Sequence, residues 1–260
     1  MAQFSGQRAI VWGGTSGINL GIARMFAARG AQVFLVSRSS EKVQAAIDLI
    51  RAEGGSADGM AADVRHYDQV EAAAARAAAD GPLDIVISGA AGNFLVDAAK
   101  MSANAFRTVI DIDLIGTFNT ARACYAHFAR PDMNDGRGAC YTAITAPQAV
   151  KPIKQQAHAC AAKAGINMLL KCLALEWGAE GIRVNGISPG PIADTEGMRR
   201  LAPDPESEAA SKAAVPLGRY GRKDEIAAAA CYLASTEAAY ITGTILDVDG
   251  GMLLAGSRLN

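Results

Sequence analysis

Short apolar runs alternate with longer segments of helical periodicity along the whole chain, and this alternation restricts the fold more than any other feature. AIVWGG (9–14), AQVFLVS (31–37), a weak run before Asp63, LDIVISGAAG from Leu83, GACYTAIT from Gly138, IRVNGISPG from Ile182 and TILDVDGG from Thr244 read as strands. Helical stretches over 18–30, 41–53, 67–80, 104–130, 157–178 and 223–235 stand between them. Strands that each hand over to a helix of about ten or more residues build right-handed βαβ units. The pattern predicts an α/β fold: a doubly wound parallel sheet of about seven strands with helices on both faces. Nothing marks a linker, so residues 1–260 are expected to form one domain. The stretch 193–215, with APDPESEAASK inside it, is polar and follows a strand end, where a flap over the ligand crevice would sit.

Composition narrows the partners. Half of the residues are apolar and a fifth charged, and 25 basic against 26 acidic residues leave a net charge of −1, which excludes the disordered class and implies no nucleic-acid surface. Five cysteines, Cys124, Cys140, Cys160, Cys172 and Cys231, form no C-x-x-C pair, which fits reduced thiols in a cytoplasm. His66, His127 and His158 lack any metal-ligand spacing, so no metal is expected. No apolar run approaches the roughly 18 residues of a membrane span, and MAQFSGQRAIVW lacks an export pattern.

The first strand runs into GGTSGIN (13–19). Glycines at 13, 14 and 17 let the backbone turn and approach a pyrophosphate, the N–H groups of Gly17 and Ile18 open a helix toward it, and Thr15 and Ser16 add hydroxyl donors. At the end of the second strand, where an acid would bind the ribose 2′-hydroxyl of NAD, the chain has Ser37 and Arg38. A guanidinium there binds a 2′-phosphate, so NADP(H) is the expected cofactor.

These residues, with Asp63-Val64 after the third strand, SGAAG after the fourth, Lys163 in a long helix, SPGPIADT from Ser188 and YITGTILDVDGG from Tyr240, stand in the order of the short-chain dehydrogenase/reductases. The chain resembles that family over nearly its whole length. The resemblance implies a Rossmann-like domain with Asp63 and Val64 near the adenine. Ala90, Ala91 and Gly92 would lie against the cofactor, Pro189, Gly190, Ile192 and Thr195 around the nicotinamide and its phosphates. It also implies a homo-oligomer, tetramer or dimer, built through the two long helices.

The departures from the family carry more information than the matches. Its usual set is Asn, Ser, Tyr and Lys. Here Lys163 is present, but the position four before it is Ala159, the serine position falls on Ala146 beside Thr145, and Asp113 in DIDLIG replaces the asparagine. Reduction of a ketone leaves an alkoxide that needs a donor within hydrogen-bond reach, a contribution of about 10²–10⁴-fold. Ala159 donates nothing. Hydride addition to a conjugated thioester instead sends charge to a thioester oxygen and the proton to carbon, which a fixed cation and a relayed water can serve.

With AAGNF (90–94), SANAF (102–106), DIDLIGTFN (111–119), HACAAK before and at Lys163, and GPIADTEGMRRL from Gly190, the pattern resembles the peroxisomal-type 2,4-dienoyl-CoA reductases. By that resemblance Lys163 holds the nicotinamide ribose and supplies positive charge, and Asp113 orients a water or the lysine. Arg65, Phe94, Ser102, Ala103, Asn104 and Arg200 would touch an acyl-CoA-like substrate, with Asn93 an inferred neighbour. His158, after Gln155 and Gln156, is read as a packed core residue, with a donor reaching into the pocket as the alternative. Asn19 stands where a glycine is usual, residues around MNDGRGA and PQAVKPIKQ are extra, and the terminal SRLN is no peroxisomal address, which suits a bacterial cytoplasmic version. Two other classes stay open: a reductase of another activated alkene or of a carbonyl with Thr145 or Tyr141 as substitute donor, and a non-catalytic NADP-binding protein.

Overall fold

The computed structural model describes residues 2–130 and 138–255. The seven strands are β1 (Arg8–Trp12), β2 (Gln32–Ser37), β3 (Ser56–Ala61), β4 (Ile85–Ser88), β5 (Cys140–Ile144), β6 (Arg183–Pro189) and β7 (Ile245–Val248), all paired in parallel in the order β3-β2-β1-β4-β5-β6-β7. Buried on both faces, the central strands have no polar alternation: Ala9 to Trp12 and all seven residues of β6 are closed off from water.

One face carries α1 (Gly17–Ala28), α2 (Ser40–Ala52) and α9 (Lys223–Ala234), whose Ile22, Phe26, Val43, Ile47 and Ile226 pack on Val11, Leu35 and Ile87. The other face carries α3 (Tyr67–Ala77), α5 (Gly116–Tyr125) and α6 (Ala157–Trp177), with Val70, Cys124, Ile166 and Leu170 against Trp12, Val86 and Tyr141. Full burial of a large apolar side chain contributes about 1.5–3 kcal/mol, so each layer holds its helices firmly to the sheet.

The strand order reverses at β1, which lies between β2 and β4, and a doubly wound sheet opens a crevice at such a point. Trp12 stands opposite both Val36 and Ser88, so the chain leaves β1, β2 and β4 at one level and their loops meet there.

One expectation needs correction. The helix expected over 104–130 is α4 (Ala103–Ile110), a π-helical segment (Asp111–Ile115) and α5, and it ends at Tyr125. It stops because Leu83 N donates to His127 O and Ala129 N to Leu83 O, both at 2.8 Å, which draws the chain into a strand-like bridge. The stretch 193–215 holds two short helices, α7 (Glu196–Leu201) and α8 (Pro205–Ala213), capped by Thr195 and Asp204, which accept from Met198 N and Ser207 N. Residues 133–137 of the extra segment and the terminal 257–260 lie outside the described residues. Among the described residues no helix is long and apolar enough to cross a membrane.

Candidate active site

The loop after β1 is held by Gly13 N donating to Val36 O at 2.8 Å. Gly13 has φ +75°, and a β-carbon on it would meet the Ala90 backbone N at 3.0 Å, so at this point the loop and the one after β4 approach at backbone distance. Gly17 has φ +57° and a β-carbon there would face open space. The N-cap Ser16 makes no side-chain capping bond, α1 has no acid in its first turn, and the N–H groups of Gly17, Ile18 and Asn19 precede the first intrahelical bond, Leu20 N to Ser16 O. This is an anion cradle.

One cleft is lined by Gly13, Thr15, Ser16, Ser37, Arg38, Asp63, Val64, Ala90 and Ala91, which brings together most of the expected cofactor residues. Asn19, Lys42 and Ile112 line it as well and were not expected there. Lys42 lies in the first turn of α2, four residues after Arg38, and its N–H is accepted by Ser39 Oγ. Asn19 Nδ2 donates to Gly89 O at 2.7 Å and ties the first loop to the end of β4. At the far corner Arg65 clasps Asp63, with Nη2 2.6 Å from Oδ2 and Nε 3.0 Å from Oδ1. That guanidinium, with a smaller pull from Arg38, holds the Asp63 carboxyl below the usual carboxylate range. With Asp63 paired to Arg65, Arg38 and Lys42 give this end of the cleft its positive charge, and the open cradle and this charge fit a dinucleotide carrying an extra phosphate.

Asp113 sits in the π-helical segment, where the widened turn presents it inward. It is 1% exposed. Its Oδ1 accepts Gly92 N–H at 2.7 Å, and its Oδ2 lies 3.3 Å from Lys163 Nζ, which also donates to Ile144 O at 3.1 Å. Gly165 permits the approach, since a β-carbon on it would stand 2.8 Å from Leu114 Cδ2 of the π segment. Thr117 Oγ1 donates to Asp113 O at 2.6 Å and fixes the segment from below.

The substitute donors are engaged elsewhere. Tyr141 is fully buried, its hydroxyl donates to Thr117 O at 3.0 Å, and burial pushes its pKa up. Thr145 Oγ1 donates to Asn167 Oδ1 at 2.7 Å. Ala159 packs with Val109 and Ala162.

The remaining expected residues stand on the end of β6 and on the loops and short helices that follow β4 and β6. Pro189 ends β6, Gly190 N donates to Val248 O at 3.0 Å, buried Ile192 bridges to Gly221, and Thr195 donates to Ile192 O at 2.8 Å. Asn93 Nδ2 donates to Gln156 Oε1 at 2.8 Å, and the Phe94 ring lies edge-on to His158. Ser102 caps α4 by accepting Ala105 N–H, Ala103 begins that helix, and Asn104 O accepts from Thr108. Arg200 is paired with Glu196 on its own helix, Nε to Oε1 at 3.0 Å.

The family profile described as Enoyl-(Acyl carrier protein) reductase matches residues 13–253. Peroxisomal 2,4-dienoyl-CoA reductase [(3E)-enoyl-CoA-producing] of Rattus norvegicus is 42% identical over 245 residues, 94% of this chain and 82% of that protein. Its namesake SPS19 of Saccharomyces cerevisiae is 40% identical over 259 residues, 98% of this chain and 86% of that one. Among solved structures, a gluconate 5-dehydrogenase from Burkholderia cenocepacia J2315 in complex with NADP and tartrate superposes with a TM-score of 0.89 at 30% identity, covering 98% of this chain and 99% of that one. With the glycine cradle, the seven-stranded sheet and Lys163 in α6, the chain belongs to the short-chain dehydrogenase/reductase family.

Proposed function

We propose that the protein is an NADPH-dependent reductase of 2,4-dienoyl-CoA thioesters. The observation that carries this reading is the buried Asp113–Lys163 pair in a site whose hydroxyls are bonded away and whose tyrosine position is Ala159. Two relatives named for this reaction, each near 40% identity over almost the full chain, support it.

Bound NADPH supplies the hydride, delivered to the δ-carbon of the dienoyl group. Electrons of the diene then shift to the thioester oxygen, and a proton from water taken up at the α-carbon leaves a 3-enoyl-CoA. The α1 start, with Gly13, Thr15, Ser16, Gly17 and Ile18, holds the pyrophosphate. Ser37 and Arg38, helped by Lys42, hold the 2′-phosphate. Asp63 and Val64 border the adenine, Ala90, Ala91 and Gly92 form the floor, and Pro189, Gly190, Ile192 and Thr195 surround the nicotinamide half. Lys163 places a fixed cation beside the nicotinamide ribose and the proton path, and Asp113, held by Gly92 N–H, keeps that ammonium aimed. Arg65, Asn93, Phe94, Ser102, Ala103, Asn104 and Arg200 receive the acyl-CoA under a flap formed by residues 193–215 of the single domain.

The test is loss of NADPH absorbance with 2,4-hexadienoyl-CoA, compared with crotonyl-CoA and a panel of ketones. Consumption with the dienoyl ester is expected. Turnover of ketones without turnover of the dienoyl ester overturns the reading, and no turnover of any substrate favours a binding protein.

The same reading makes the protein a cytoplasmic homo-oligomer, tetramer or dimer. Exposed Phe118 on α5 and Met168 and Leu175 on α6 offer an apolar surface for self-association, and the five unpaired cysteines suit a reducing compartment. Light scattering at micromolar concentration measures the assembly, and a monomer would refute it.

A further inference from the structure

Loop 93–97 is fastened along the start of α6 at four points. Asn93 Nδ2 donates to Gln156 Oε1 at 2.8 Å, the Phe94 and His158 rings stand edge to face with centroids 4.3 Å apart, Val96 N donates to Gln155 O at 3.0 Å, and Gln155 Nε2 donates to Asp97 Oδ1 at 3.1 Å. The preceding residue of the chain is Gly92, whose N–H holds Asp113. Gln155 itself has φ +64°, a left-handed conformation that a glutamine rarely adopts, so the strap is closed against local backbone preference.

His158 lies under this strap and is 0% exposed, and neither of its ring nitrogens has a hydrogen-bond partner among the described residues. An imidazole closed off from water with its donor and acceptor both unmet is destabilising, and buried polar groups are nearly always satisfied. Simple packing in the core, the sequence expectation, would favour an apolar side chain at this position. The ring that covers it, Phe94, is 37% exposed and belongs to a loop without regular structure. His158 also directly precedes Ala159 in the helix that bears Lys163, five residues and about 7.5 Å of helix rise away.

We propose that His158 donates a hydrogen bond to the thioester oxygen of the substrate, and that Phe94 turns aside to admit it. The assignment rests on the dienoyl-CoA reading above. As hydride reaches the δ-carbon, an electron pair of the diene moves onto the thioester oxygen, where the His158 N–H stabilises the charge without giving up its proton. Water then protonates the α-carbon, so that the ester is reduced by two electrons and NADPH is oxidised by two. An oriented donor at a developing oxyanion is worth about 10²–10³-fold.

The test compares His158→Leu and His158→Gln in the full chain by three readouts: steady-state kinetics with 2,4-hexadienoyl-CoA, NADPH fluorescence titration and thermal melting. In His158→Leu, kcat is expected to fall by about 10²-fold or more, NADPH affinity to stay within about twofold, and Tm to rise by about 2–8 °C as the orphaned polar group disappears. His158→Gln keeps a donor and is expected to retain more than about a tenth of the wild-type kcat. A leucine variant within about threefold of wild type, or losses of equal size in both variants, overturns the proposal. Should His158→Leu not fold, His158→Phe takes its place under the same criteria. A wild-type protein that leaves dienoyl-CoA untouched refutes the reaction itself, whereas an active wild type with unaffected variants refutes only the role of His158.

Discussion

The ammonium of Lys163 lies 3.3 Å from Asp113 Oδ2 with both side chains almost closed off from water, and the other carboxylate oxygen takes the Gly92 N–H at 2.7 Å. The carboxylate therefore joins α6 to the loop after β4, and each charge depends on the other. Asp113→Ala strands a buried ammonium and should cost about 3–5 kcal/mol of stability. Asp113→Asn keeps an acceptor for Gly92 and removes the charge alone. We expect it to lower kcat by about 10²-fold with a smaller change in Tm than alanine produces, and Lys163→Ala to lower kcat at least as much. Steady-state NADPH consumption beside thermal melts checks this, and a fully active Asp113→Asn would remove the carboxylate from the chemistry.

Arg38 and Lys42 line the end of the cleft beyond β2, and the carboxylate that lines it with them, Asp63, is clasped by Arg65. Arg38→Glu is expected to weaken NADPH binding by about 10–10²-fold, the worth of a charge-assisted hydrogen bond, and to leave NADH nearly unaffected. Lys42→Ala should weaken NADPH by a smaller factor in the same direction. Fluorescence titration with both nucleotides measures it, and equal losses for NADH and NADPH would place these cations away from the 2′-phosphate.

The sheet was readable because its central strands are continuous apolar runs broken by glycine, a pattern that burial on both faces imposes. β3 was weaker, since SADGMA owes its strand to pairing with β2: a β-carbon on Gly59 would lie 2.3 Å from Leu35 O, a backbone approach that no residue pattern announces. The π-helical turn at Asp111–Ile115 was invisible because one extra residue per turn barely disturbs apolar periodicity. Asp113 and Lys163 stood out from resemblance to relatives, but fifty residues of separation hold no sign that they touch. Lys42 looked like any solvated lysine on an amphipathic helix. The two orphaned nitrogens of His158 are a fact of packing alone.

Arg65 binds both oxygens of Asp63 and lowers its pKa, so the folded state holds this carboxylate ionised at a lower pH than the unfolded chain does. For an acid with a depressed folded pKa the stabilisation is present above the unfolded value, near 3.9, and is lost as pH falls through the folded one. Arg65→Ala should therefore lower Tm at pH 7, and the difference should shrink toward zero as pH falls through the depressed pKa of Asp63. The Arg65 side chain is more than a third exposed, so the effect stays below about 1 kcal/mol, or about 2–4 °C. Melts of both proteins at pH 7 and at the most acidic pH where they still fold decide it, and an unchanged gap would show that the pair does not cause the difference.

Asn19 replaces a small residue in the glycine loop and makes one specific contact, Nδ2 to Gly89 O at 2.7 Å. The three atoms nearest a β-carbon placed on Gly89 all belong to the Asn19 side chain, the closest at 2.2 Å. Gly89→Ala must therefore displace Asn19 and break that bond, an overpacking penalty of about 1–3 kcal/mol. Asn19→Gly loses the bond alone, about 1 kcal/mol, and leaves room for the new methyl group. The double variant should then be more stable than the sum of the single effects predicts, with a coupling of about 0.5–3 kcal/mol by denaturant titration. Both residues line the dinucleotide cleft, so NADPH affinity should follow the same cycle, with Gly89→Ala more harmful beside Asn19 than beside a glycine. Additive effects in both measurements would mean that the two loops are not joined through this side chain.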